Sequence, residues 1–152
     1  MNLIDGVKIK KLNRIPDERG RLMELMRNDE EFFTAFGQVY VTTCNPGIVK
    51  AWHYHKKQED NFFCVKGMIK LGLYDNRPGS PTQYDTNTLY LGDWNTIAVK
   101  IPENVYHGFM CVSTEEAIII NCSTMPYNRK KPDEHRVPFD AFENYDWSIK
   151  NG

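Results

Sequence analysis

The chain reads as short β-branched and aromatic runs cut by turn residues about every ten positions, a rhythm that suits strands and leaves little room for helices. Gln38-Val39-Tyr40-Val41-Thr42-Thr43 ends at Asn45-Pro46-Gly47, and Asn61-Phe62-Phe63-Cys64-Val65 ends at Lys66-Gly67. Ile69, Leu71 and Leu73 alternate with Lys70, Gly72 and Tyr74, the period of two that sends one face of a strand into a core. Asn76-Arg77-Pro78-Gly79-Ser80-Pro81 is a turn cluster that a helix cannot cross. Ile97, Val99 and Ile101 alternate again before Pro102, and Phe109–Val112 and Ala117–Ile120 read as buried strands. Six or more such strands predict an all-β sandwich or barrel. Helical turns are expected only over Glu30–Phe36 and near the C-terminus. No repeat or linker divides the sequence, so residues 1–152 are expected to form one domain. The polar, proline-containing stretch Met125–Trp147 is expected to wrap the β core or close one end of a site.

Composition removes several classes of function. Hydrophobic residues at 41% supply a core, so the chain is not a disordered segment. Nineteen Lys and Arg against twenty Asp and Glu leave a net charge of −1, which provides no basic field for a phosphate backbone; nucleic-acid binding is not expected. No window approaches the roughly 18 apolar residues of a membrane span, and Met1–Gly6 lacks the charged start and apolar stretch of a secretory signal. Cys44, Cys64, Cys111 and Cys122 are widely spaced and without a C-x-x-C pair, so buried free thiols in a reducing cytoplasm are expected.

Three of the four histidines fall in two compact clusters. In Gly47-Ile48-Val49-Lys50-Ala51-Trp52-His53-Tyr54-His55-Lys56-Lys57-Gln58-Glu59, His53 and His55 lie two apart, on one face of a strand, and Glu59 can join them after a turn. In Ile101-Pro102-Glu103-Asn104-Val105-Tyr106-His107-Gly108-Phe109 a proline-started turn delivers His107. Three readings stay open on these residues alone. His53, His55, Glu59 and His107 can hold a divalent transition metal. The imidazoles can instead move protons, or they can be ordinary hydrogen-bonded or surface histidines. Trp52, Tyr40 and Phe62 are aromatic candidates for stacking on a base or sugar.

The two clusters resemble the signature motifs of the cupin superfamily, which implies a double-stranded β-helix, a small jelly-roll barrel with these side chains pointing inward. Four further blocks resemble the dTDP-4-dehydrorhamnose 3,5-epimerase family. They are Asp17-Glu18-Arg19-Gly20-Arg21-Leu22-Met23-Glu24, Asp75–Thr82 with its Ser80-Pro81-Thr82, Ile101–Phe109, and Asp140 with Trp147 seven residues on. The resemblance implies an isomerase of deoxysugar and polysaccharide biosynthesis. Its substrate would be a nucleotide-linked 4-keto-6-deoxy sugar, it would use neither metal nor other cofactor, and it would be a homodimer. It places His53 on the family's catalytic base, Asp140 on the aspartate that orients the base, and His107 on a histidine that contacts the sugar. Arg19, Glu24 and Gln38 fall on positions lining the nucleotide or sugar site, and Lys50 on an arginine. The family's tyrosine acid aligns with Asn121 and one of its lysines with Asp60. A second resemblance is local: His53-Tyr54-His55-Lys56-Lys57 is similar to the H-A-H-K-K of dTDP-4-keto-6-deoxyglucose 3,4-ketoisomerases, which implies His55 as a second proton carrier. A sugar-nucleotide-binding cupin without turnover is the remaining alternative.

Overall fold

A computed structural model describes residues 2–150, and among these residues every regular element is a strand. In chain order they are β1 (Lys8–Lys11), β2 (Arg14–Asp17), β3 (Gly20–Met23), β4 (Gln38–Cys44), β5 (Val49–Tyr54), β6 (Asp60–Lys66), β7 (Met68–Asp75), β8 (Thr86–Gly92), β9 (Ile97–Ile101), β10 (Val105–Cys111), β11 (Ala117–Ser123) and β12 (His135–Arg136). Two five-stranded sheets face each other, one in the order β1-β9-β6-β11-β4 and the other β12-β5-β10-β7-β8, while β2 and β3 form a separate hairpin. From β4 to β12 successive strands alternate between the two sheets except at the β7–β8 hairpin, which gives the expected jelly-roll arrangement.

The alternation of side chains explains why the middle strands are apolar almost throughout. Phe62, Leu71, Leu73, Leu91, Val99, Phe109 and Ile119 point between the sheets and form the main core. Their neighbours in sequence point outward and are covered too. Phe63 and Ala98 pack behind the first sheet with Leu12 and Phe32 from the N-terminal segment. Tyr74 and Met110 pack behind the second sheet with Trp52, Tyr145 and Trp147. The C-terminal stretch therefore wraps the core, and it is held there by the Trp52 and Trp147 indole N–H groups, both donating to the Phe139 carbonyl at 2.9 and 3.1 Å. Gly72 makes room for this cover: a Cβ there would lie 2.6 Å from the Tyr145 ring.

Two expectations need correction. Glu30–Phe36 forms turns, not a helix, because Phe32 is drawn under the first sheet and Glu30 is held by Lys10 on β1. The C-terminal stretch contributes the short strand β12 and turns, with no helix among the described residues. The four cysteines are free and buried, as expected.

Candidate active site

Register brings the histidines together. His53 on β5 is the direct cross-strand partner of His107 on β10, and their ring centroids lie 4.0 Å apart. His55 follows on the same face just beyond β5, 5.5 Å from His53 and 5.7 Å from His107. The turn before β10 holds this end of the barrel closed, since the Asn104 N–H donates to the His55 carbonyl at 2.7 Å. Asn104 has φ +62°, a left-handed conformation that asparagine tolerates, which accounts for asparagine where the family motif has glycine.

A carboxylate completes the group, and it belongs to Asp60 at the head of β6. Asp60 is fully buried; its Oδ2 lies 3.1 Å from His107 Nε2 and 3.3 Å from His55 Nε2, and its Oδ1 accepts the Gln58 side-chain amide at 2.9 Å. The opposite ring nitrogens are fixed by main-chain oxygens. His107 Nδ1 donates to the Val105 carbonyl at 3.0 Å, and His55 Nδ1 donates to the Asp133 carbonyl. A carbonyl only accepts, so in each ring Nδ1 carries the hydrogen, and Asp60 Oδ2 faces two Nε2 atoms that share whatever further proton is present. The Asp133 carboxylate meanwhile accepts the Lys56 and Lys57 N–H groups at 3.0 and 2.8 Å, tying the segment before β12 over the site.

The electrostatics separate the imidazoles. For His53, burial together with the neighbouring His107 and His55 outweighs the attraction of Asp60 and holds its pKa well below the usual imidazole value. Burial also pulls on His55, but its contacts with Asp60 and Asp133 outweigh it and raise its pKa. Burial pushes the Asp60 carboxyl up, and its bonds to His107 and His55 overcome that and hold it well below the usual carboxylate range. At neutral pH the floor of the site is thus a buried carboxylate facing two imidazole Nε2 atoms, with an uncharged His53 beside it. Among the described residues the His53 ring makes no hydrogen bond.

Above this floor opens a cleft of about 1050 Å³ between β4 and β5, bounded on one side by the Met125–Arg136 segment. Gln38, Tyr40, Lys50, His53 and His55 of the expected residues line it. His107 is buried beneath it, and Asn121 is buried behind Tyr40. Lys50 is tethered, its ammonium donating to the Thr43 carbonyl at 2.6 Å. The other expected residues lie apart. Arg19 and Glu24 are exposed at the β2–β3 hairpin and its exit, paired with Asp17 and Arg27. Asp140 is exposed in the turn after Phe139 and makes no hydrogen bond to His53 among the described residues. Trp52, Tyr40 and Phe62 all border the cleft, but Trp52 and Phe62 are buried in the outer aromatic cover and the core, and of the three only Tyr40 is substantially exposed. Glu59 turns away toward Lys100, 3.8 Å off.

The donor set also meets the requirements of a transition metal. The ligand atoms of His53, His55, Asp60 and His107 all lie within 4.8 Å of one another. Two donors at about 2.1 Å from one ion are separated by about 3.4 Å in a tetrahedron and by about 4.2 Å only when opposed, so the set would have to contract by up to about 1.4 Å to close on an ion. The Nδ1–H to carbonyl bonds of His55 and His107 orient Nε2 in the way metal ligands require, and His55 Nε2 is buried without a well-aligned partner.

Comparison with known proteins identifies the family. Residues 2–150 match the family model described as dTDP-4-dehydrorhamnose 3,5-epimerase. The spore coat polysaccharide biosynthesis protein SpsL of Bacillus subtilis is 42% identical over 138 residues, 91% of each chain. The probable low-salt glycan biosynthesis epimerase Agl13 of Haloferax volcanii is 38% identical over 150 residues, 97% of this chain and 96% of its own. Among solved structures, the dTDP sugar isomerase of Desulfovibrio desulfuricans G20 superposes with a TM-score of 0.90 at 31% identity, covering 97% of this chain and 94% of that one.

Proposed function

The chain belongs to the dTDP-4-dehydrorhamnose 3,5-epimerase family, and from that membership we propose that it inverts a carbon next to the ketone of a nucleotide-linked 4-keto-6-deoxy sugar, with His53 as the base. The observation that carries this reading is the state of His53: an imidazole at the wall of the cleft, uncharged and without a protein hydrogen bond among the described residues. A proton α to a ketone is acidic enough for such a base if the enolate oxygen is stabilised nearby. His55, whose pKa is raised by its contacts with Asp60 and Asp133, is the proton-holding group available for that. Asp60 is the buried carboxylate of the site in place of Asp140, and it holds His107 and His55 beside His53 without bonding to the base itself. Lys56, Lys57, Lys131 and Arg136 gather at the cleft, which suits the diphosphate of a sugar nucleotide. Against ketoisomerisation by two free imidazoles stands His55, whose Nδ1 is committed to Asp133 and whose Nε2 faces Asp60.

A homodimer belongs to the same reading. β4 is an edge strand, and Val39 and Val41 on it are 54% and 60% exposed, a surface that pairing with a second copy would cover. Four free thiols suit a reducing cytoplasm. A second reading, favoured by the buried His55 Nε2 that has only the poorly aligned Asp60 Oδ2 at 3.3 Å, is a divalent transition metal held by His53, His55, Asp60 and His107. The functional test is turnover of dTDP- and UDP-linked 4-keto-6-deoxy sugars followed by NMR of the ring protons. An inverted centre next to the ketone is expected with at least one of them; a sugar returned unchanged by purified, folded protein in every case overturns the reading.

A further inference from the structure

Inversion needs a proton delivered to the face opposite the base, and Asn121, standing where the family has its tyrosine acid, carries no proton to give. We propose that Tyr40 is the acid, with Asn121 as the residue that positions it. This inference rests on the epimerase reading above.

Tyr40 and Asn121 are direct cross-strand partners on β4 and β11. Asn121 is wholly buried, and the orientation of its amide is fixed: its Oδ1 accepts the Asn61 backbone N–H at 3.0 Å, so Nδ2 must point the other way. Nδ2 donates to the Tyr40 hydroxyl oxygen at 2.8 Å. That bond uses a lone pair of the phenol and leaves its hydrogen free. Among the described residues no other group bonds to the Tyr40 hydroxyl, so the hydrogen is unclaimed by the protein at the edge of the cleft. Burial and the charge of Asp60 push the Tyr40 pKa up to about 12, which keeps the phenol protonated at any working pH.

The placement suits inversion. Tyr40 stands on the edge strand of one sheet and His53 on the facing sheet, and both line the same cleft. A sugar ring between them meets the base on one side and the phenol on the other. His53 takes the hydrogen from carbon, and the C–H electron pair moves onto the ketone oxygen as the enolate. When that pair returns to carbon, the Tyr40 O–H bond breaks and a new C–H bond forms on the opposite face. The imidazolium and phenolate left behind exchange protons with solvent to restore the starting state. The other tyrosines fit less well. Tyr127 is half-exposed and its phenol has no hydrogen-bond partner among the described residues, while Tyr54 stacks on Tyr106 and His135.

The test uses Y40F, which removes one oxygen, with dTDP-4-keto-6-deoxyglucose in D2O. Two rates are read on one sample: deuterium entry at the carbon next to the ketone, and appearance of the inverted sugar. Wild type is expected to show both. Y40F should keep deuterium entry with retention within about threefold and lose inversion by at least ~100-fold, the usual scale of a positioned acid. N121L should lower inversion about tenfold with KM unchanged, because the phenol remains but is no longer aimed. A merely structural role would depress exchange and inversion together, so parallel loss overturns the proposal, as does inversion by Y40F at the wild-type rate. Absence of both exchange and inversion in wild type, with this sugar and with its UDP-linked counterpart, would instead overturn the epimerase reading on which the proposal rests.

Discussion

Replacing Asp60 by asparagine removes one negative charge from the floor of the site with almost no change in shape. The side chain is fully buried, and its Oδ2 stands 3.1 Å from His107 Nε2 and 3.3 Å from His55 Nε2. Hydrogen bonds to charged groups are worth about 1.5–3 kcal/mol each. Part of the loss is offset, because burying an ion is itself costly and because the new amide keeps Gln58 and donates to a neutral imidazole. A net loss of about 1.5–3 kcal/mol follows, or about 3–12 °C in Tm at roughly 2–4 °C per kcal/mol for a chain of this size. The loss depends on pH in a definite direction. The raised pKa of His55 gives stability that is fully present below about pH 6.5 and disappears as pH rises through the folded value. The lowered pKa of Asp60 gives stability present above about pH 3.9 and lost as pH falls through its folded value. Wild type and D60N should therefore differ most between about pH 4 and 6.5, and the gap should narrow toward pH 9 as the His55 contribution is lost. Urea denaturation of both proteins at pH 5.5 and pH 9, in chelator, measures this. Equal stability at pH 5.5, or a larger gap at pH 9, would refute the ion-pair account.

The lowered pKa of His53 means that the acid limb of kcat/KM should fall well below pH 6.5, the Tyr40 phenol sets no alkaline limb below about pH 12, and the raised pKa of His55 puts the loss of its proton above pH 6.5; an acid limb with its half-maximal point near 6.5 in the pH–rate profile would contradict the burial of His53. Exhaustive chelation followed by elemental analysis should leave turnover unchanged under the proton-transfer reading, whereas loss of activity restored by a stoichiometric transition metal would establish the second one. G108A should cost about 1–3 kcal/mol, since its Cβ would lie 2.3 Å from the Ala51 Cβ and would pry β5 from β10 where His53 and His107 are paired; denaturant titration reads the loss. V39K together with V41K should shift a dimer to monomer in light scattering while leaving the monomer folded by circular dichroism, because both side chains are exposed on the edge strand.

β6, β7, β9 and β10 were legible because they are covered on both faces, so their apolar runs are continuous, while exposed β4 was legible from its β-branched and aromatic content alone. β8 was not, since only Leu89 and Leu91 of Thr86–Gly92 face the core and the rest reads as polar turn. β1 and the β2–β3 hairpin were hidden by their lysines, arginines and exposed side chains. At the site, the two-residue spacing of His53 and His55 placed them correctly on one face, and the Pro102 turn delivered His107. Asp60 was missed as a partner because family alignment sets it against a lysine. A physical signal existed nonetheless: Gln58, Asp60 and Asn61 form a polar knot at the head of an apolar strand, and such groups are buried only if paired. Asp140 illustrates the opposite case. Its spacing to Trp147 matches, but the indole bonds to the Phe139 carbonyl pin that segment to the outer face of the sheet and leave the carboxylate in solvent.

The central claim is that His53 removes a proton from carbon. Solvent deuterium entering the position next to the ketone of dTDP-4-keto-6-deoxyglucose measures that step without requiring inversion. Wild type should incorporate deuterium at that carbon, and H53Q, with its fold retained by circular dichroism, should incorporate it at least ~100-fold more slowly. Exchange by H53Q at the wild-type rate would contradict the assignment of the base.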